Sequence, residues 1–296
     1  MKIATFNCNS IRSRLDILLP WLDANRPDFM CLQETKATDD AFPADALLEH
    51  GYHAAFRGEK SYNGVAILSL APADEAAFGL DPDPAAPSAP TDPARLVLAR
   101  YGDLHILDTY VPQGRAIDHP MYAYKLRWFD RLRAFLDARF TPADRILWCG
   151  DLNVARHPID VTNPATKKDH VCYHQAARDA FERVLSFGFD DVWRTQHPDD
   201  ADYTFYDYRA PFDPARRRGW RIDYILATPP QSSRLLSTRI DISPRSLPRP
   251  SDHVPLPYKK SIRRNFNFFR TDYVIKICKI RQPSAFVSFE DDICEG

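Results

Sequence analysis

"DFMCLQETK", residues 28–36, sets the reading of the whole chain. From Phe29 to Leu32 the run is apolar at every position, so the strand it predicts must be covered on both faces. Polarity then arrives at once, in Gln33 and Glu34. The same punctuation recurs. "KIATF" (2–6) ends in Asn7, with Asn9 close behind, and "LHILDT" (104–109) ends in Tyr110. "RILWC" (145–149) ends in Gly150, Asp151, Leu152 and Asn153. "RIDYILA" (221–227) reads as a strand containing Asp223, and "LLSTRIDI" (235–242) leads into "PSDHVPLP" (250–257), with Asp252 and His253. Strands that share a sheet end at one rim, where functional loops gather.

Other stretches fill in the frame. "GYHAAF" (51–56), "GVAILSL" (64–70) and "RLVLARY" (95–101) read as strands. "RLDILLPWLDANR" (14–26) has helical spacing, with a kink expected at Pro20. "MYAYKLRWFDRLRAFLDARF" (121–140) places Trp128, Leu132, Phe135 and Leu136 on one helical stripe. "YHQAARDAFERVLSFG" (173–188) reads as a helix ended by Gly188. The proline- and alanine-rich stretch 71–94 is expected to be a surface loop. Many strands, few helices and no internal repeat suggest one α/β domain with stacked sheets.

Composition narrows the function classes. The chain has 296 residues, 39 Lys and Arg against 40 Asp and Glu, and a net charge of −1. It lacks the strongly basic balance of a protein that coats nucleic acid. The six cysteines lie far apart with no Cys-x-x-Cys pair, which weighs against zinc and favours reduced, buried thiols. The N-terminus turns polar by Asn7, so no signal peptide is read, and no apolar run approaches the roughly 20 residues of a membrane span. A cytoplasmic protein without membrane contact is expected.

Singly, each polar strand end has a bland reading. Asp151 and Asp252 could be turn acids, Glu34 a surface charge, Tyr110 a core aromatic with a wet hydroxyl, and His253 a surface histidine. Together they form an oxygen-rich set suited to a hard cation such as Mg²⁺ or Mn²⁺. A cation would also reconcile an acidic rim with an anionic phosphodiester.

The stretches "FNCNSIR", "CLQETK", "YNGVAILS", "TYVPQG", "GDLNVA", "YTFYDYR", "RGWRIDYIL" and "PSDHVP" resemble, in order, the exonuclease III family of AP endonucleases within the endonuclease/exonuclease/phosphatase superfamily. The resemblance runs from Met1 to about Leu256. It implies a four-layer α/β sandwich of two packed, mainly antiparallel β-sheets flanked by helices. It implies metal sites completed or flanked by Asn7, Glu34, Asp151, Asn153, Asp252 and His253, with Glu34 the principal Mg²⁺ ligand. Asp151 would align or deprotonate the attacking water, Asn153 would hold water and phosphate, and Tyr110 would lie near the phosphate. Asp223 would orient His253. Asn9 stands close to the metal or substrate. Phe205, Trp220 and Ile222 match an apolar wall that accepts an extruded sugar lacking its base. Arg115 and the arginines of "PARRRGWR" (Arg216, Arg217, Arg218, Arg221) are candidate phosphate contacts.

The activity implied is Mg²⁺-dependent cleavage of double-stranded DNA 5′ to abasic sites by a monomer, with trimming of blocked 3′ ends. Two alternatives differ in class. One is a superfamily phosphodiesterase or phosphatase acting on lipid, inositol phosphate or RNA; the other is a DNA-binding protein with impaired catalysis. One departure stands out. From Lys259 the composition shifts to Lys, Ile, Phe and Asn, and Pro255 and Pro257 are expected to interrupt the closing strand. Residues 1–258 are therefore read as the catalytic domain and 259–296 as an atypical tail. The basic and aromatic cluster of Lys259, Lys260, Arg263, Arg264, Phe266, Phe268, Phe269 and Arg270 is read as an altered end rather than a DNA-binding arm.

Overall fold

A strand that is apolar at every position needs a layer on each side of it, and the architecture supplies both. The computed structural model describes residues 1–261 apart from 84, 85, 89 and 217. In chain order, β1 (Lys2–Asn7), α1 (Ile11–Asn25), β2 (Phe29–Gln33), α2 (Ala44–Glu49), β3 (His53–Arg57) and β4 (Val65–Ser69) build most of one layer pair. The other contains β5 (Glu75–Phe78), β6 (Leu96–Tyr101), β7 (Leu104–Tyr110), α3 (Pro120–Asp137) and β8 (Arg145–Asp151). It continues through α4 (Gln175–Leu185), β9 (Asp190–Asp191), α5 (Val192–Gln196) and β10 (Asp223–Ala227). After α6 (Pro229–Ser232) the chain returns to the first sheet as β11 (Leu235–Thr238) and β12 (Leu256–Lys260).

Two six-stranded sheets result, ordered β11-β12-β1-β2-β4-β3 and β5-β6-β7-β8-β10-β9. Each contains one parallel pair, β1 with β2 and β7 with β8. A parallel pair needs a crossover, and α1 and α3 provide them. Ile3, Cys31, Ile67, Val97, Ile106, Leu147 and Ile225 pack between the sheets. Phe6, Met30 and Leu32 face outward onto Ile11, Leu18, Trp21 and Leu22 of α1. Adjacent residues of β2 thus feed different cores, which is why "FMCL" carries no polar alternate. On the far side, Trp128, Leu132, Phe135 and Leu136 of α3 and Phe181 and Val184 of α4 cover Leu107 and Trp148. This is the four-layer sandwich, and fully burying each large apolar side chain contributes about 1.5–3 kcal/mol.

Three expectations need correction. The stretch 71–94 is not all loop, because β5 lies within it and pairs antiparallel with β6 along Glu75–Phe78. The helix over 173–188 ends at Leu185, with Gly188 adopting a φ of +123° three residues later. The prolines near the end do not interrupt the closing strand. Pro257 sits inside β12, opposite Ala4 of β1. On the β11 side its carbonyl accepts the Arg239 N–H at 3.1 Å and that of Pro255 accepts the Asp241 N–H at 2.9 Å, so each proline withholds only the return bond and the paired ladder with β11 ends at Thr238. α1 runs continuously through Pro20.

β12 continues to Lys260, two residues past the compositional boundary, so Lys259 and Lys260 of the basic and aromatic cluster belong to the sheet; positions 262–296, with the rest of the cluster, lie outside the described residues. Lys260 exchanges backbone bonds with Met1, and its buried amine donates to Gln231 Oε1. A chain ending at Tyr258 should therefore melt about 2–4 °C below one ending at Ser261 for each kcal/mol that these two residues contribute. Equal melting temperatures by calorimetry would show that the last two strand residues contribute nothing.

Candidate active site

The parallel pairs aim their C-terminal ends at the same rim. Asn7 and Gln33 end β1 and β2, and Tyr110 and Asp151 end β7 and β8 in matching register. Gly150 permits the approach of the last two. Its φ is +140°, and a Cβ there would lie 2.0 Å from the Thr109 carbonyl oxygen.

At the centre lies the Asn7 amide. Its Nδ2 donates to Glu34 Oε1 and to Asp151 Oδ2, both at 2.9 Å, joining a carboxylate from each sheet. The Asn9 N–H donates to Asn7 Oδ1 at 3.1 Å, which settles the face the amide presents. Asn9 Nδ2 donates to Asp252 Oδ1 at 2.9 Å. The Ser-Asp-His loop is docked by Ser251, whose hydroxyl donates to the Asn7 carbonyl at 2.8 Å and accepts the His253 N–H at 3.1 Å. His253 then points inward, with Nδ1 2.8 Å from Asp223 Oδ2 and Nε2 3.8 Å from Asp151 Oδ2. Asn153 donates its backbone N–H to Asp151 Oδ1 at 2.9 Å and its side-chain amide to the Val111 carbonyl at 3.0 Å.

The backbone here is strained. Asn9, Ser10, Glu34, Lys36, Arg115 and Asn153 all have φ between 44° and 87°, a region that non-glycine residues enter at a cost of about 1–3 kcal/mol each. Such outliers concentrate where geometry matters more than stability.

Crowded acids shift one another. Burial pushes the Asp151 carboxyl up to about 7; His253 opposes the rise, while Asp223 and Glu34 add to it. Burial pulls the His253 imidazolium down, but the carboxylates of Asp223 and Asp151 outweigh it and lift its pKa to about 10. Burial likewise works against charge on Glu34, yet Lys36 and Asn7 hold its carboxyl below the ordinary value. The Tyr110 phenol is driven up by burial and by the neighbouring Glu34, to which it hydrogen-bonds, and its ring carries Arg95 at 4.9 Å.

The donor set suits a hard divalent cation. Glu34, Asp252 and the Asn7 amide oxygen offer oxygen atoms at one edge, where Glu34 retains 17% side-chain exposure. The Lys36 ammonium already bridges this edge, 2.7 Å from Glu34 Oε2 and 2.6 Å from Asn9 Oδ1, marking it as a place that holds positive charge. Asp151, Asp223 and His253 form a second, fully buried group whose ligand atoms lie within 4.8 Å of one another. With His253 protonated between two carboxylates, that trio is better suited to holding a proton.

Beside the centre opens a cleft of about 630 Å³. Phe205, Trp220 and Ile222 all line it. Alternation explains the wall: residues 220 and 222 face the cleft, while Arg221 turns the other way. Arg221, expected as a phosphate contact, is instead fully buried, pairing with Asp160 and Asp191 at 2.8 Å and lying over the Tyr224 ring at 4.5 Å. Arg218 and Arg216 line the cleft, Arg115 is exposed on the loop after β7, and Arg217 lies outside the described residues. The wall is stitched to the centre, since Phe205 bridges to both Trp220 and His253 and its ring sits 5.0 Å from the imidazole.

Lys36, Lys125 and His170 join the site without a functional expectation from the sequence. Lys36 stood within "QETK". Lys125 stood on the apolar stripe, three and four residues before Trp128 and Phe129, where a lysine is unusual. His170 had no signal, because only the folded loop sets its ring 4.5 Å from that of Trp220.

Comparison with known proteins gives a consistent picture. Residues 4–253 match the Endonuclease/Exonuclease/phosphatase family. An exodeoxyribonuclease III of Haemophilus influenzae is 28% identical over 273 residues, spanning 86% of this chain and 98% of that protein. An AP endonuclease structure from Archaeoglobus fulgidus superposes with a TM-score of 0.85 at 47% identity, covering 88% of this chain and all of that one. A 3′ phosphatase from Neisseria, solved with a product DNA hairpin, superposes at 0.81 with 35% identity over 88% of this chain and 100% of its own.

If Asp151 is the proton acceptor and His253 the proton donor of the reaction, their two shifts give a bell-shaped dependence of kcat/KM on pH. Asp151 accepts a proton only once it has lost its own, so activity should rise with pH through about 7, and a bound cation would shift that limb lower. His253 donates only while protonated, so activity should fall as pH climbs through about 10. Asp223→Asn removes the chief attraction on that proton and should move the alkaline limb down by roughly one unit or more. An alkaline limb that does not move in this variant would exclude His253 as its source.

Proposed function

The chain belongs to the Endonuclease/Exonuclease/phosphatase family, and on that premise we propose that it is a DNA repair nuclease hydrolysing the phosphodiester 5′ to an abasic site in duplex DNA. The observation that supports this most is the shared Asn7 amide between Glu34 and Asp151, with the His253–Asp223 pair and the apolar cleft alongside. Glu34, Asp252 and Asn7 would hold the metal, for which Mg²⁺ is proposed and Mn²⁺ is a chemically equivalent substitute. When bound there, a divalent cation supplies Lewis-acid stabilisation of charge on the phosphate oxygens.

The chain's own residues do the rest. The Asp151 carboxylate takes a proton from the attacking water, aligned against phosphorus with help from Asn153. As the new P–O bond forms, the bond to the leaving oxygen breaks on the opposite side, and that oxygen keeps the bonding pair and takes a proton from solvent to become the 3′ hydroxyl. The His253 imidazolium, oriented by Asp223, donates to a phosphate oxygen, and the Tyr110 phenol faces the same group. A general base supplies about 3–5 kcal/mol and a preorganised donor about 3–4 kcal/mol, against a requirement of roughly 20 kcal/mol or more, so several must act together. Phe205, Trp220 and Ile222 accept the extruded sugar, and Arg115, Arg216 and Arg218 meet flanking phosphates. All these groups come from one chain, which favours action as a monomer. No described helix is long and apolar enough to cross a membrane. The buried thiols Cys8, Cys31, Cys149 and Cys172 suit the cytoplasm.

One observation favours a second reading, the cleaning of 3′ ends. His170 leans on Trp220 in the wall that an extruded sugar would occupy, and a terminal 3′-phosphate needs no extrusion. The deciding experiment offers two duplexes, one with an internal abasic analogue and one nicked with a 3′-phosphate. Cleavage of the first in Mg²⁺ and not in EDTA supports the endonuclease; turnover of the second alone supports the 3′ phosphatase.

Glu34→Ala should reduce turnover of the preferred duplex by at least about 100-fold while leaving the fold intact, because the cation's principal anchor is lost. Full activity in that variant or in EDTA would refute metal dependence. Trp220→Ala should widen the cleft and reduce discrimination between abasic and intact DNA by about 10-fold or more. An unchanged ratio in a folded variant would make Trp220 a packing residue only.

A further inference from the structure

Lys125 is fully buried on the apolar stripe of α3, yet its ammonium does not pair within the helix. Nζ donates to the carbonyls of Asn153 at 2.7 Å, Val171 at 2.9 Å and Gln113 at 3.2 Å. An ammonium has three N–H bonds, and three acceptors take them. The acceptors come from three different segments: the loop after β7, the loop after β8 and the stretch before α4.

Each segment bears on the site. Asn153 bonds Asp151 through its own N–H and is one of the strained residues. Gln113 lines the cleft, as do His170 and Cys172 on either side of Val171. Gly114 lies against the lysine's methylene stem, where a Cβ would meet Cδ at 3.5 Å. An apolar side chain would fill the stripe without joining any of these loops. We propose that Lys125 is a positioning residue, a buried three-way pin that fixes the backbone of the catalytic loop relative to two walls of the cleft. This rests on reading the site as a nuclease centre.

The test compares wild type, Lys125→Met and Lys125→Arg by kcat and KM per folded molecule, by melting temperature and by amide hydrogen exchange. The substrates are the abasic-analogue and 3′-phosphate duplexes with Mg²⁺. A displacement of about 1 Å at a reacting group costs on the order of 100-fold, so Lys125→Met should lose kcat on that scale while KM moves less than about 3-fold. Exchange should quicken together in segments 111–116, 152–155 and 170–173 and stay unchanged in β1 and β2. Lys125→Arg, which keeps donors at the site, should recover most of the lost kcat. Unchanged kcat with a lower melting temperature, or exchange altered only within α3, would overturn the proposal. If Lys125→Met does not fold, Lys125→Gln replaces it; if neither folds, Lys125 is a fold determinant and the proposal falls. Should wild type cleave neither duplex, the nuclease reading fails, and the exchange pattern alone decides for or against the pin.

Discussion

One side-chain amide holds the two halves of this site together. Asn7 gives one N–H bond to Glu34, which follows the end of β2, and the other to Asp151, at the end of β8 in the opposite sheet. Two carboxylates so placed repel by about 3 kcal/mol at roughly 5 Å and an effective dielectric near 20. A neutral double donor between them offsets part of that repulsion and fixes their separation without cancelling their charge. The remaining site follows from this bridge. Asn7's carbonyl receives Ser251 and so docks the loop carrying Asp252 and His253. Its side-chain oxygen receives Asn9, which in turn meets Asp252 and Lys36.

The bridge can form because the fold is doubled. Each sheet has a single parallel pair with a helical crossover, and the two pairs point their carboxyl ends at one rim. In open α/β sheets such ends are where ligands collect. Gly150 lets β8 approach β7 closely enough to bring Asp151 and Tyr110 to the same level.

The centre is built at a cost to stability. Left-handed backbone at Glu34, Asn9 and Asn153, a carboxyl raised by burial at Asp151 and a lysine sunk under the loops all oppose folding locally. Three packed cores compensate, and the ion network of Arg221, Asp160, Asp191 and Arg194 stiffens the segment that presents Trp220 and Ile222. The same alternation that sends Trp220 into the cleft sends Arg221 away from it, so a run of arginines in sequence does not become a run of phosphate contacts.

Much of this protein was legible in its residues alone. Runs such as "FMCL" announced strands covered on both faces, and abrupt polar endings announced Glu34, Tyr110 and Asp151, because strand period and burial are local properties of the chain. Order along the chain and motif spacing carried the family resemblance. What local pattern could not contain is which ends meet. The pairing of Asn7 with both acids, the inward turn of Arg221, the approach of His170 to Trp220 and the three carbonyls around Lys125 join residues far apart in sequence. Pro257 shows the same limit: read locally it interrupts a strand, whereas in the fold it keeps its place opposite Ala4 of β1 and its carbonyl still accepts Arg239, so only one return bond is lost. Local chemistry determined the elements and the cast of reactive groups; long-range packing, which sets distances and burial, decided which of them share a site.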